Sequence, residues 1–186
     1  MQATNASQPI RTASDPDLKK LAELIKDIRV AMLVTLSDEG VAEAAAGHTH
    51  PGFHARPMYT QKIDPDTFDG ELLFLTDAKS QKCNEVATDR HVLVSYAGSN
   101  NRFVAITGEA RVERDEAKIK ELWSVHAQGW WPGGPTDPNV TLLRVRAHGA
   151  EYWDGPSTTR YMISLAKAVI TKTRIAADAD HAQLRM

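Results

Sequence analysis

The chain has 186 residues, 42% hydrophobic and 25% charged, the proportions of a soluble globular protein long enough for one domain with a sizeable core. Its formal net charge of −2 leaves no broad electrostatic footprint for nucleic acid, so any anion must be gripped by a local site. The single cysteine, Cys83, excludes an intramolecular disulfide and fits a reducing, cytoplasmic setting. No charged leader with an apolar centre opens the sequence, and no apolar run approaches about 18 residues. Neither secretion nor a membrane partner is expected.

Residues 1–16 (MQATNASQPIRTASDP) are small and polar without apolar period, and read as an N-terminal tail. Ser14 or Asp15 can cap a helix beginning near Pro16, in which Leu18, Leu21, Ile25 and Ile28 recur three or four apart on one face. AMLVTL, residues 31–36, reads as a buried strand closed by a turn at Ser37-Asp38-Glu39-Gly40. The segment 41–55 could begin as a strand, but Gly and Pro interrupt it. Further strands are expected at 57–62, 71–76, 91–97 and 103–113, with Gly108 marking a bulge or a close backbone approach. DEAKIKELWSV, residues 115–125, is an amphipathic helix turning Ile119, Leu122 and Trp123 inward, and GWWPGGPTDPN, residues 129–139, is a loop. Strands at 140–146 and 149–153 flank a short kink. Residues 157–171 fit strand or helix, and 173–186 form a charged C-terminal tail. Hairpin-like spacings favour a mainly β fold: an antiparallel barrel of six to seven strands with peripheral helices, one domain over residues 17–172.

The residues that carry chemistry lie between 56 and 85. Arg56 opens one strand, and Thr76, Asp77, Ser80 and Lys82 mark the junction where a second strand gives way to a helix. Helix N-termini present N–H groups and positive potential to anions, so Arg56, Ser80 and Lys82 form a candidate phosphate cradle. The competing reading is a solvated arginine and a first-turn lysine on an exposed helix face. Trp130, Trp131 and Trp153 either pack on their own core or cover a flat ligand. His48, His50 and His54 crowd GHTHPGFHA with no Cys or acidic neighbour to complete a ligand set, so they read as loop histidines and no metal is assigned. Cys83 lacks a paired histidine or second cysteine and reads as structural. None of the patterns GxSxG, GxxxxGK[ST], GxGxxG or HExxH occurs.

The succession of AMLVTLSDEG, ARPM, LLFLTDAKSQKCNEV, VLVSYAG, FVAITGEARVERD, ELW, WWPGG and AEYWD over residues 18–155 resembles the FMN-binding split-barrel proteins. These are the relatives of pyridoxamine 5′-phosphate oxidase, and the general stress protein branch is the nearest pattern. The resemblance implies an FMN site at a homodimer interface. Arg56, Ser80 and Lys82 would hold the phosphate. Pro57, Met58 and Tyr59, with Leu75, Thr76 and Asp77, would lie along the ribityl chain and isoalloxazine. Trp130, Trp131 and Trp153 would belong to the wall to which the second subunit contributes.

The activity so implied is that of a flavin-dependent oxidoreductase acting with a small-molecule redox partner, with no catalytic residue assigned. Alternatives are a flavin-binding or sensing stress protein without turnover, and a reductase using the deazaflavin F420. Two departures stand out: the segment between Gly40 and Arg56 is long for the pattern, and the oxidase's arginine–histidine motif near the C-terminus is not recognisable beyond Arg160. The second speaks against pyridoxamine phosphate as the substrate.

Overall fold

The computed structural model describes residues 15–37, 52–99, 101–155 and 180–185. Helix α1 (Pro16–Ile25) starts where local chemistry dictates, with Asp15 Oδ1 accepting from the Asp17 N–H at 3.0 Å and Pro16 in the first turn. Its Leu18, Leu21, Leu24 and Ile25 enter the main core. There follow β1 (Val30–Leu36), β2 (Phe53–Tyr59), β3 (Glu71–Asp77), α2 (Gln81–Thr88), β4 (His91–Gly98) and β5 (Arg102–Glu113). The short helices α3 (Glu116–Leu122) and α4 (Val125–Trp130) lead to β6 (Val140–Asp154) and β7 (Asp180–Arg185). The seven strands form one antiparallel sheet in the order β2-β1-β4-β5-β6-β3, with β7 also paired to β6.

The sheet curls until its two ends almost meet. They touch at the bridge Thr60↔Phe74, where the Gln61 N–H also donates to the Leu73 carbonyl at 3.1 Å. Thr60 Oγ1 lies 3.0 Å from the Tyr96 hydroxyl, and both residues are buried. Burial pushes the Tyr96 phenol well above its ordinary value, so it stays a neutral partner. Beyond this seam β2 and β3 part, and the barrel stays split. β3 is held in place from behind, where Arg144 of β6 bonds Glu71 at 2.7 Å and Asp115 at 3.0 Å.

Gly108 fills both roles expected of it. The β5–β6 register shifts between Thr107 and Gly108, and a Cβ at position 108 would meet the Arg146 carbonyl oxygen at 2.2 Å. Only glycine fits.

Four elements depart from the sequence expectation. β2 begins at Phe53, so Arg56 sits in mid-strand rather than opening it. β6 runs unbroken through 15 residues, because the expected kink is absorbed by the register shift opposite Gly108. α4 takes Gly129 and Trp130 out of the expected loop, since Ser124 Oγ accepts from the Ala127 N–H at 3.2 Å and caps a new helix. Within the expected C-terminal tail, residues 180–185 pair as β7 with residues 149–154 of β6. Charge along that segment fits an outer strand as well as a tail. The readings at 38–51, including His48 and His50, and at 157–171 lie outside the described residues. Among the described residues no helix is long and apolar enough to cross a membrane.

Candidate functional site

Where the end strands part, a cavity of about 400 Å³ opens, within the range of small-molecule sites, about 300–1,000 Å³. Arg56, Pro57, Met58 and Tyr59 of β2 form one wall. Leu75, Thr76 and Asp77 of β3 face them, with Lys82 of α2 beside them. The third wall is α4, through Ser124, His126 and Ala127, continued by Trp130 and Trp131. The Tyr59 and His126 rings stack at 4.6 Å between centroids and 29° between planes.

The strand edges give the cavity hydrogen-bonding capacity that no side chain supplies. The Thr60 N–H donates to the Arg29 carbonyl, on the β1 side, at 2.8 Å. Backbone groups alternate along a strand, so those of Tyr59 and Pro57 turn toward the gap. Pro57 is tolerated there because the N–H it lacks would have faced the open edge. Across the gap the Leu73 carbonyl and the Leu75 N–H are spent in the bridge to β2, and the Leu75 carbonyl is the next group on β3 that faces the opening. A donor and acceptors therefore remain open on the lips of the split.

The two cations differ. Lys82 Nζ donates to Thr76 Oγ1 at 3.0 Å and forms no ion pair among the described residues. Burial first, and the charge of Arg56 after it, hold its ammonium below the ordinary lysine value. Arg56 is already paired: Nη2 donates to Glu85 Oε2 at 2.6 Å and Nη1 to Thr35 Oγ1 at 2.6 Å. Glu85, on α2 and 0% exposed, also accepts from the Thr35 hydroxyl at 2.5 Å and from His54 Nδ1 at 2.5 Å. An ionised carboxylate only accepts, so Nδ1 carries the proton.

The register explains this convergence. Thr35 pairs with His54 and Leu33 with Arg56, which puts these side chains on one face of the β1–β2 ribbon. α2 packs over that face. Burial alone would push the Glu85 carboxyl up, but the bonds from Thr35, His54 and Arg56, with the charge of Arg56, hold it below its usual 4.5.

Ten of the twelve residues singled out by sequence line this cavity, and two do not. Ser80 is the N-cap of α2 but makes no side-chain cap bond; its hydroxyl donates to the Asp77 carbonyl at 2.7 Å, outside the lining. The Asp77 carbonyl also takes the Ser80 N–H and the Cys83 thiol, so this turn is locked by its own bonds. Trp153 lies on the outer face of the sheet, stacked on His181 at 4.9 Å, because Tyr152 takes the inward position beside it. Trp131 packs with Ile119, Val140 and Leu142 as well as lining the cavity, whereas Trp130 is 72% exposed at the mouth. His54, expected in a loop, is a strand residue held by Glu85.

Glu85 and His126 escaped the sequence analysis. The Glu85 partners come from 31 and 50 positions away, and a glutamate three residues after a lysine on a helix reads as a solvated one. His126 fell between the helix expected at 115–125 and the loop expected at 129–139, and Ser124, which caps α4, was read as part of the preceding helix.

A carboxyl whose value is depressed on folding stabilises the native state above its unfolded value, and that contribution is lost as pH falls. The thermal midpoint of the protein should therefore drop more steeply below pH 4.5 than that of Glu85→Gln. Parallel curves would show that ionisation of Glu85 adds no stability.

Comparison with known proteins agrees with this architecture. The sequence model of the family described as pyridoxamine 5′-phosphate oxidase like matches residues 16–176. The general stress FMN/FAD binding protein of the phytopathogen Xanthomonas citri is 30% identical, with 73% of this chain and 87% of that one covered and a TM-score of 0.57. A protein described as general stress protein 26, from Jannaschia sp. CCS1, is 21% identical with 91% and 98% covered and a TM-score of 0.66, which makes the fold common to both. Protein bli-3 of Neurospora crassa is 28% identical over 91 residues, and the match spans 44% of its length and 44% of this chain. The sheet is thus the split barrel, and the chain belongs to the pyridoxamine 5′-phosphate oxidase-like family.

Proposed function

We propose that the protein binds FMN in the split between β2 and β3 and acts as a flavin-dependent oxidoreductase on a small-molecule partner in the cytoplasm. The observation that carries this reading is the make-up of the gap. A half-buried lysine with no carboxylate paired to it among the described residues stands at one end, and open strand edges with aromatic walls make the rest. A phosphate dianion needs the first, and a flat ring with alternating donors and acceptors needs the second. The description of the Xanthomonas citri relative as an FMN/FAD binding protein supports it.

The bound flavin would supply the electron-transfer chemistry. The chain's own residues bind and orient: Lys82 and the Arg56 N–H groups toward the phosphate, the Tyr59 N–H and the Leu75 carbonyl toward the ring edge, and Trp130 and Trp131 as a cover that excludes water. Replacing Lys82 by Ala should weaken FMN binding by about 1.5–3 kcal/mol, the worth of a charge-assisted contact, and leave riboflavin binding unchanged. Equal weakening of both flavins would show that Lys82 does not face the phosphate.

The same reading includes a homodimer. β1 turns Val30 and Met32 outward, next to Phe103 and Trp153, and Val30 and Phe103 are 53% and 49% exposed. A sheet apolar on both faces asks for a cover. Val30 pairs with Tyr59 and Met32 with Pro57, so this surface runs into the rim of the cavity. A second copy seated there would complete the mouth and bring Trp153 near a flavin site. Sedimentation equilibrium should give two chains per particle for the native protein and one for Met32→Arg. A native protein sedimenting as a single chain would contradict the dimer.

A further inference from the structure

At the anion end of the cavity the two basic side chains have unequal standing. Among the described residues Lys82 bonds a neutral hydroxyl alone, at 3.0 Å, whereas Arg56 Nη2 lies 2.6 Å from a Glu85 oxygen. Arg56 lines the cavity and Glu85 does not: the carboxylate sits wholly buried behind the wall, on the same helix as Lys82 and three residues beyond it. Thr35 and His54 hold it from the strands, independently of Arg56. An incoming anion therefore finds N–H donors at Arg56 whose positive charge is partly offset by the carboxylate behind them.

A purely architectural role for Glu85, fastening α2 to β1 and β2, explains the bonds from Thr35 and His54. It is indifferent to the charge that faces a ligand. Pairing with Arg56, on the cavity wall, is not. We propose that Glu85 sets the phosphate selectivity of the cavity by offsetting the charge of Arg56 from behind, which leaves Lys82 as the dominant cation that separates a phosphorylated flavin from an unphosphorylated one. The assignment rests on the FMN reading above. At the effective dielectric of about 20 that suits such sites, removing one negative charge this close to a bound dianion tightens its binding about tenfold or more.

Glu85→Gln tests this because it keeps the shape and one acceptor for Arg56 while removing the charge. Dissociation constants for FMN and riboflavin, read by quenching of flavin fluorescence, should show FMN bound about tenfold tighter and riboflavin changed by less than about twofold. Glu85→Met fills the same space with no polar group that needs a partner, and must raise the FMN-to-riboflavin ratio in the same direction. It serves as the test if Glu85→Gln does not fold. An architectural role would move both flavins together, and a ratio that is unchanged or lowered in either folded variant overturns the proposal. Wild-type protein that binds neither flavin removes the FMN reading and this assignment with it. Wild-type protein that binds both, with a ratio indifferent to residue 85, removes this assignment alone.

Discussion

The site exists because the barrel fails to close. β2 and β3 each pair with a neighbour on one side only among the described residues, and they join at a single bridge, Thr60↔Phe74. An unpaired strand edge normally invites aggregation or must be covered. Here the two edges face one another, and α4 with its tryptophans roofs the space between them. The backbone groups that would have completed the sheet are left for a ligand. The seam is anchored where it matters, by the Thr60–Tyr96 bond in the core on one side and by the Arg144 ion pairs behind β3 on the other.

Charge is arranged with the same economy of groups. A cluster of two cations at the end of a cavity would repel itself when empty, and Lys82 already feels Arg56. Glu85 answers one of them from inside the protein, where a carboxylate survives only because three donors converge on it. The network joins α2 to β1 and β2, so the element carrying Lys82 and the strand carrying Arg56 are held by one carboxylate. Architecture and electrostatics share a residue.

The sequence exposed the parts that obey local rules. Apolar spacing and a cap at Ser14 or Asp15 located α1, short apolar runs located β1, β3, β4 and β5, and the isolated Gly108 marked the place of the bulge and close approach. ARPM and the strand–helix junction around Lys82 line one cavity, because both lie on the edges that face the gap. What stayed hidden depends on contacts distant in sequence. The burial of Glu85 needs Thr35 and His54, the outward turn of Trp153 needs the register of β6 against β5, and β7 becomes a strand only because β6 offers an edge. The start of α4 was masked by a serine that also fits the tail of the preceding helix.

Whether this split holds a flavin phosphate is tested most directly by an absorption spectrum of the protein after dialysis against FMN, with the released ligand identified by mass. One FMN per chain with the visible flavin bands is the predicted result. A colourless protein that releases no flavin would contradict it.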